Sequence, residues 1–217
     1  MIPKILIQCT RNHIPEYVQA MIKEKLTSKW KYEIFNDERI IHFFNDNPLK
    51  EFPDIVDIFQ SIEIGAHKAD IFRYYYMYIN GGVFLDDDAM VYNITFDEII
   101  EDYDMFLPIH NVHNIGKVVF NGFFGTSAKN KIIHDTLRYM YHMAKRKIKY
   151  DGSLKSYLVF LIYMYRSYLR FKNMYNIKLY KMHDIAYQNN ENWQSIKIGD
   201  DKIIAKHFCD TKIVPID

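Results

Sequence analysis

Cysteine is almost missing from this chain: only Cys9 and Cys209 occur among 217 residues, at opposite ends. Two thiols are too few for a disulfide framework, and their scarcity fits a reducing compartment. An excess of charge of either sign is also lacking, since 28 Lys and Arg stand against 27 Asp and Glu, for a formal net charge of +1. That balance gives no reason to expect nucleic acid as a partner, although nine histidines make it sensitive to pH. No apolar run approaches the ~20 residues that cross a bilayer. Nor is there a signal-peptide pattern, because Met1 is followed at once by Pro3-Lys4 and a short apolar strand. These absences predict a cytoplasmic protein with no transmembrane segment.

What is present is ordinary for a globule, 49% hydrophobic and 25% charged residues, and the length predicts one well-cored domain. The informative stretch is Gly65 to Tyr92, GAHKADIFRYYYMYINGGVFLDDDAMVY. Ala66, Ala69, Asp70, Arg73 and Met77 recur at helical spacing, which places Asp70 and Arg73 on one face, three residues apart. Asn80-Gly81-Gly82 supplies the left-handed conformation that ends a helix, and Val83-Phe84-Leu85 has the density of a buried strand. Asp86-Asp87-Asp88 follows. Read as extended chain, Asp86 and Asp88 present their carboxylates to one side while Asp87 points away.

Two carboxylates leaving a buried strand repel each other unless a cation lies between them, and hard divalent ions take such oxygen ligands. Mg²⁺ and Mn²⁺ are usually shared with substrate phosphates, and open α/β sheets bind ligands beyond the carboxyl ends of their strands. The stretch therefore predicts a metal–diphosphate site. The competing reading is an acidic turn beside a surface ion pair.

The pattern A-x-x-A-D-x-x-R-Y followed by G-G-V-F-L-D-D-D resembles the DXD sugar-binding region of the glycosyltransferase family 32 group. The resemblance implies an α/β fold of GT-A type: a nucleotide-binding sandwich with a mixed central sheet flanked by helices. It divides residues 1–217 into a nucleotide-sugar-binding half, 1–92, and an acceptor-side half, 93–217. It implies a metal-dependent, retaining transfer from a nucleotide-diphosphate sugar, a UDP-sugar being favoured, to a hydroxyl of a glycan, lipid-linked or protein acceptor. Carried onto this sequence, it makes Asp70, Arg73, Asp86 and Asp88 the catalytic set. Asp86 touches the donor and bridges toward Mn²⁺ (or Mg²⁺), Asp88 is a direct ligand, and Asp70 holds sugar hydroxyls. Arg73 lies against sugar and diphosphate, and Asp87 joins the donor side.

The rest of the chain adds candidates. Ile2 to Cys9 reads as a first strand that ends at Gln8 and Thr10, where the family receives the nucleotide base; packing is the competing role for Gln8. Pro15 to Thr27 reads as a helix and Lys31 to Phe35 as a second strand, with Phe35 at the border of the base pocket or in ordinary packing. Lys117 to Thr126 reads as one strand preceding a helix, and the resemblance puts Asn121 and Gly122 near the donor. Lys202 to Phe208 reads as a strand carrying His207, which matches a family position and would favour Mn²⁺ as a third ligand, nitrogen suiting transition metals. Leu158 to Tyr165 is the most apolar run, read either as a buried helix or, with Arg166, Arg170 and Lys172, as a peripheral membrane contact. Two rival functions stay open: a non-catalytic nucleotide-sugar or polysaccharide binding module, and a metal-dependent phosphotransferase using Asp86 as nucleophile.

Overall fold

The computed structural model describes residues 1–11, 13–146, 153, 158–188, 191–198 and 202–208, with backbone alone at 183–188, 191–195, 198, 202, 207 and 208. Its centre is β1 (Ile5–Cys9), paired in parallel with β2 (Lys31–Phe35) on one side and β3 (Gly82–Leu85) on the other. Side chains of β2 alternate between two helical layers, as a strand covered on both faces requires. Tyr32 and Ile34 face α1 (Glu16–Lys25) across a cavity. Phe35 packs instead on Phe43 of α2 (Asp37–Asp46) and on Phe72 and Tyr76 of α4 (Gly65–Asn80). Asn36 caps α2 by accepting from the Arg39 amide at 2.9 Å, so strand and helix abut with one connecting residue.

Helix α4 is enclosed: every residue from Asp70 to Met77 is buried. Tyr75 and Phe72 meet Phe44, and α3 (Ile55–Ser61) and α6 (Lys131–Lys145) pack alongside. Each of these large apolar side chains contributes roughly 1.5–3 kcal/mol by leaving water, and that burial fixes the helix against the sheet. The helix ends at Gly81, whose φ of 68° is unfavourable for residues with a Cβ. A Cβ there would also lie 2.7 Å from Ala128 N and Thr126 O. The expected break therefore stands where the backbone must pass between two strands.

Beyond β3 the sheet continues through β7 (Phe123–Thr126), antiparallel, to β5 (Met105–Val112), which also pairs with β6 (Gly116–Val119). Lys117 to Thr126 is thus not one strand. Phe120-Asn121-Gly122 breaks it as a three-residue bulge, and the two pieces pair in succession along the side of β5 away from β8, in shifted register. The order then runs β8 (Ile177–Gln188), β9 (Glu191–Ile198), β10 (Lys202–Phe208) and β4 (Ala89–Val91). Only Asp86-Asp87-Asp88 separates β3 from β4, a reach on the order of 10 Å, so the sheet must curl until its far edge returns to the end of β3. This is a mixed sheet with helices on both faces, as the sequence implied. α5 (Phe96–Ile100) starts with a capping box between Thr95 and Glu98. The apolar run becomes α7 (Val159–Phe171), in which Phe160, Met164 and Ser167 are buried. Among the described residues no helix is long and apolar enough to cross a membrane.

Candidate active site

The site forms where β3 ends and α4 passes beneath it. Arg73 is 4% exposed and Asp70 5%, so neither charge can rely on water. Two guanidinium nitrogens donate within the protein, Nη1 to the Asn121 carbonyl at 2.6 Å and Nη2 to Asp86 Oδ1 at 2.9 Å, while the buried Nε makes no hydrogen bond. That Nε lies 3.4 Å from Asp70 Oδ1, and the guanidinium carbon sits 4.1 Å from the centre of the Phe84 ring. Burial disfavours the charged guanidinium, but Asp86 and Asp70 outweigh it and push the Arg73 pKa further up. Burial also raises the Asp70 carboxyl against the opposing pull of Arg73. Asn121 Nδ2 donates to Asp70 Oδ1 at 2.7 Å and to the Tyr74 hydroxyl at 2.8 Å, which spends both of its amide hydrogens.

The acids themselves lie on a turn. Ala89 N donates to Asp86 O at 3.1 Å, so Asp87 and Asp88 occupy the middle of a tight reversal and not the extended chain read from sequence. The alternation that put Asp86 and Asp88 on one side therefore does not apply. Asp87 instead takes a hydrogen bond from Thr10, and its carboxyl is pushed up by burial, with Asp88 and Asp86 adding to the rise. Asp86 keeps 23% of its side chain exposed, and Asp88 Oδ1 is withdrawn from solvent. Among the described residues no group of three or more His, Cys, Asp or Glu is arranged to hold a metal. Carboxylates crowded on one turn are nonetheless a donor set suited to an ion completed by substrate phosphates, since Mg²⁺ characteristically takes only one or two carboxylates.

Gly122 holds this turn from the neighbouring strand connection. Its carbonyl accepts from Asp86 N at 2.7 Å, and a Cβ at this residue would overlap Asp86 Oδ2 and the Phe120 ring and lie 3.0 Å from Asp86 Cγ. Gly122→Ala is expected to destabilise the fold by about 1–3 kcal/mol and to lower nucleotide release more than the melting temperature explains. Parallel thermal melts and turnover assays would check it, and unchanged turnover would sever Gly122 from the site.

The other sequence candidates divide. Gln8 is fully buried; its Oε1 accepts from the Tyr32 hydroxyl at 2.6 Å and its Nε2 donates to Asp86 O at 3.1 Å. Thr10 lines the approximately 620 Å³ cavity under α1 with His13, Gln19, Lys23, Tyr32 and Ile34. Phe35 lies on the opposite face of β2, away from that cavity, in the aromatic core. The backbone of His207 pairs with Ala89, next to Asp88, but its side chain lies outside the described residues, as do Cys209 and the basic residues between 147 and 157. Tyr32 and Tyr74 were not singled out from sequence. For Tyr32 the signal was there, since it lies two residues before Ile34 on the face of β2 that meets α1. At the end of β1, burial pushes the Cys9 thiol pKa up, which disfavours a reactive thiolate.

Residues 12–106 match the family model described as a glycosyltransferase sugar-binding region containing DXD motif. Among solved structures, the chain is similar to one described as PaToxG Glycosyltransferase, with a TM-score of 0.55 at 16% identity, covering 80% of this chain and 72% of that one. The apo-form glycosyltransferase GlyE of Streptococcus pneumoniae TIGR4 also matches, with a TM-score of 0.43 at 14% identity over 82% of this chain and 45% of that one. No curated protein matches. The matched span includes Asp70, Arg73 and the acid turn, so residues 12–106 are similar to the DXD sugar-binding region of glycosyltransferases, on a fold of GT-A type.

Proposed function

We propose that the protein is a metal-dependent, retaining glycosyltransferase of family 32 type that uses a nucleotide-diphosphate sugar, with a UDP-sugar favoured. The observation carrying the proposal is the buried Asp70–Arg73–Asp86 ion-pair chain, which ends in a turn of three acids beside an open cavity. The base enters the cavity past Thr10 and Tyr32, and the diphosphate reaches Asp86, Asp87 and Asp88. Asp86 and Asp88, joined by His207 from β10, hold Mn²⁺ or Mg²⁺. When bound, the ion supplies charge stabilisation for the departing diphosphate.

Asp70 accepts hydrogen bonds from the donor sugar's hydroxyls, with Asn121 orienting its carboxylate. Arg73 pairs with Asp70 and Asp86 and donates to the Asn121 carbonyl, so it sets the position of both carboxylates. Among the described residues no second carboxylate stands out as a double-displacement nucleophile. The acceptor hydroxyl therefore attacks the anomeric carbon from the face the diphosphate leaves. The new C–O bond forms as the sugar–phosphate bond breaks, and the hydroxyl proton passes to the leaving phosphate oxygen. The acceptor is a glycan, a lipid-linked sugar or a protein, and the setting is cytoplasmic.

The test is nucleotide release from UDP-, GDP- and ADP-sugars with Mn²⁺ or Mg²⁺, repeated after chelation. Release from one donor that stops on chelation is expected. Metal-dependent nucleotide binding without release, acceptors included, would favour a binding module; no nucleotide binding would sink the glycosyltransferase mechanism proposed here.

A further inference from the structure

Two side chains, the buried Gln8 and the half-buried Tyr32, connect the cavity under α1 to the acid turn. Tyr32 lines the cavity with its ring and donates its hydroxyl to Gln8 Oε1 at 2.6 Å. Gln8 turns its amide the other way and donates to Asp86 O at 3.1 Å. That carbonyl is the one that closes the turn, because it also accepts from Ala89 N. Its hydrogen bonds therefore decide where Asp87 and Asp88 point. A second thread runs from Thr10, on the cavity wall, to the Asp87 carboxylate.

We propose that Tyr32 and Gln8 form a positioning relay, through which a nucleoside diphosphate seated in the cavity sets the acid turn for its metal ion. The inference rests on the donor-site reading above and deepens it. Burial pushes the Tyr32 phenol up to about 12, so it stays a neutral donor across the working pH range and the direction of the relay does not change. The backbone of Gln8 is fixed between β2 and β3, opposite Ile34 and with its neighbour Ile7 opposite Phe84, so a shift of Tyr32 reaches the turn through the Gln8 side chain, whose Nε2 is bonded to Asp86 O. Occupancy that orders Tyr32 thereby favours one turn geometry, and by reciprocity metal binding at the turn tightens the nucleotide.

The measurement is calorimetric titration of the full chain with UDP, GDP and ADP, each with and without Mn²⁺, in wild type and Tyr32→Phe. The phenylalanine keeps the ring and removes only the hydroxyl. Expected is a metal-induced tightening, the ratio of affinities with and without metal, that falls about tenfold from wild type whatever the change in the metal-free affinity, the upper range for one hydrogen bond. Gln8→Leu, taken with a thermal melt, should lose the same tightening; if it does not fold, Tyr32→Phe decides alone. A merely structural role would move the melt and leave the ratio with and without metal unchanged. Tightening retained in Tyr32→Phe overturns the relay while the donor site stands. Absence of metal-dependent nucleotide binding in wild type removes both.

Discussion

Asp88→Asn is expected to cut metal-dependent nucleotide release by about a thousandfold or more, equivalent to roughly 4 kcal/mol of transition-state stabilisation. The substitution keeps the shape of the side chain and removes one charge from a turn of three acids. Asp86 already gives Oδ1 to Arg73, and Asp87 is hydrogen-bonded by Thr10 and pushed toward protonation by burial and its neighbours. Asp88 is the acid that the DXD resemblance makes a direct ligand of the ion. Stability should move in the opposite direction from activity. With one like charge gone, the metal-free variant should melt no lower than wild type, and Mn²⁺ should raise its melting temperature less. Release within tenfold of wild type, still requiring metal, would show that Asp88 is not a ligand.

Arg73→Met should have the largest effect on folding. Methionine fills part of the space but leaves Asp70 and Asp86 without their counter-charge, and breaking a buried pair in this way costs about 3–5 kcal/mol. In a chain of this length that is a fall of roughly 6–20 °C in melting temperature. The loss should depend on pH in a definite direction. Burial raises the Asp70 carboxyl and Arg73 opposes the rise, so without Arg73 the folded pKa climbs further above the unfolded value of about 4. A carboxyl with a raised folded pKa contributes stability that is fully present below the unfolded pKa and is lost as pH rises through the folded one. Denaturant melts from pH 4 to pH 8 should therefore find the variant closest to wild type in acid and furthest from it at neutral pH. A deficit independent of pH would mean that the lost packing on Phe84, and not the lost charge, carries the effect.

The DXD region was legible because its signals are local and chemically expensive to fake. A helix face with Asp70 and Arg73 three residues apart, a double glycine, an apolar triplet and three acids each follow from spacing, and β1, β2, α4 and β3 appear close to where periodicity puts them. Local spacing did less well where the chain reverses. Lys117 to Thr126 reads as one strand because the apolar residues on either side of Asn121-Gly122 are alike, whereas a bulge at Phe120 to Gly122 shifts the pairing with β5 and leaves the second half to pair with β3 as well. β9 and β4 carried too little signal of their own, since short strands are selected by the neighbours they pair with.

Sequence by itself determined the chemistry available: which charges sit on one helix, which acids leave the strand, and which residues end each element. Tertiary structure alone decided how that chemistry is shared. Enclosure of α4 removes Asp70 and Arg73 from water, and only then does the pair become a strained, mutually dependent unit that reaches Asp86 and Asn121. The curl of the sheet brings the last strand pair back to the three acids, a contact between residues more than a hundred positions apart. Gln8 and Tyr32, 24 residues apart, meet because β1 and β2 pair in parallel. Such meetings depend on the register of a whole sheet, and no local window of sequence encodes that.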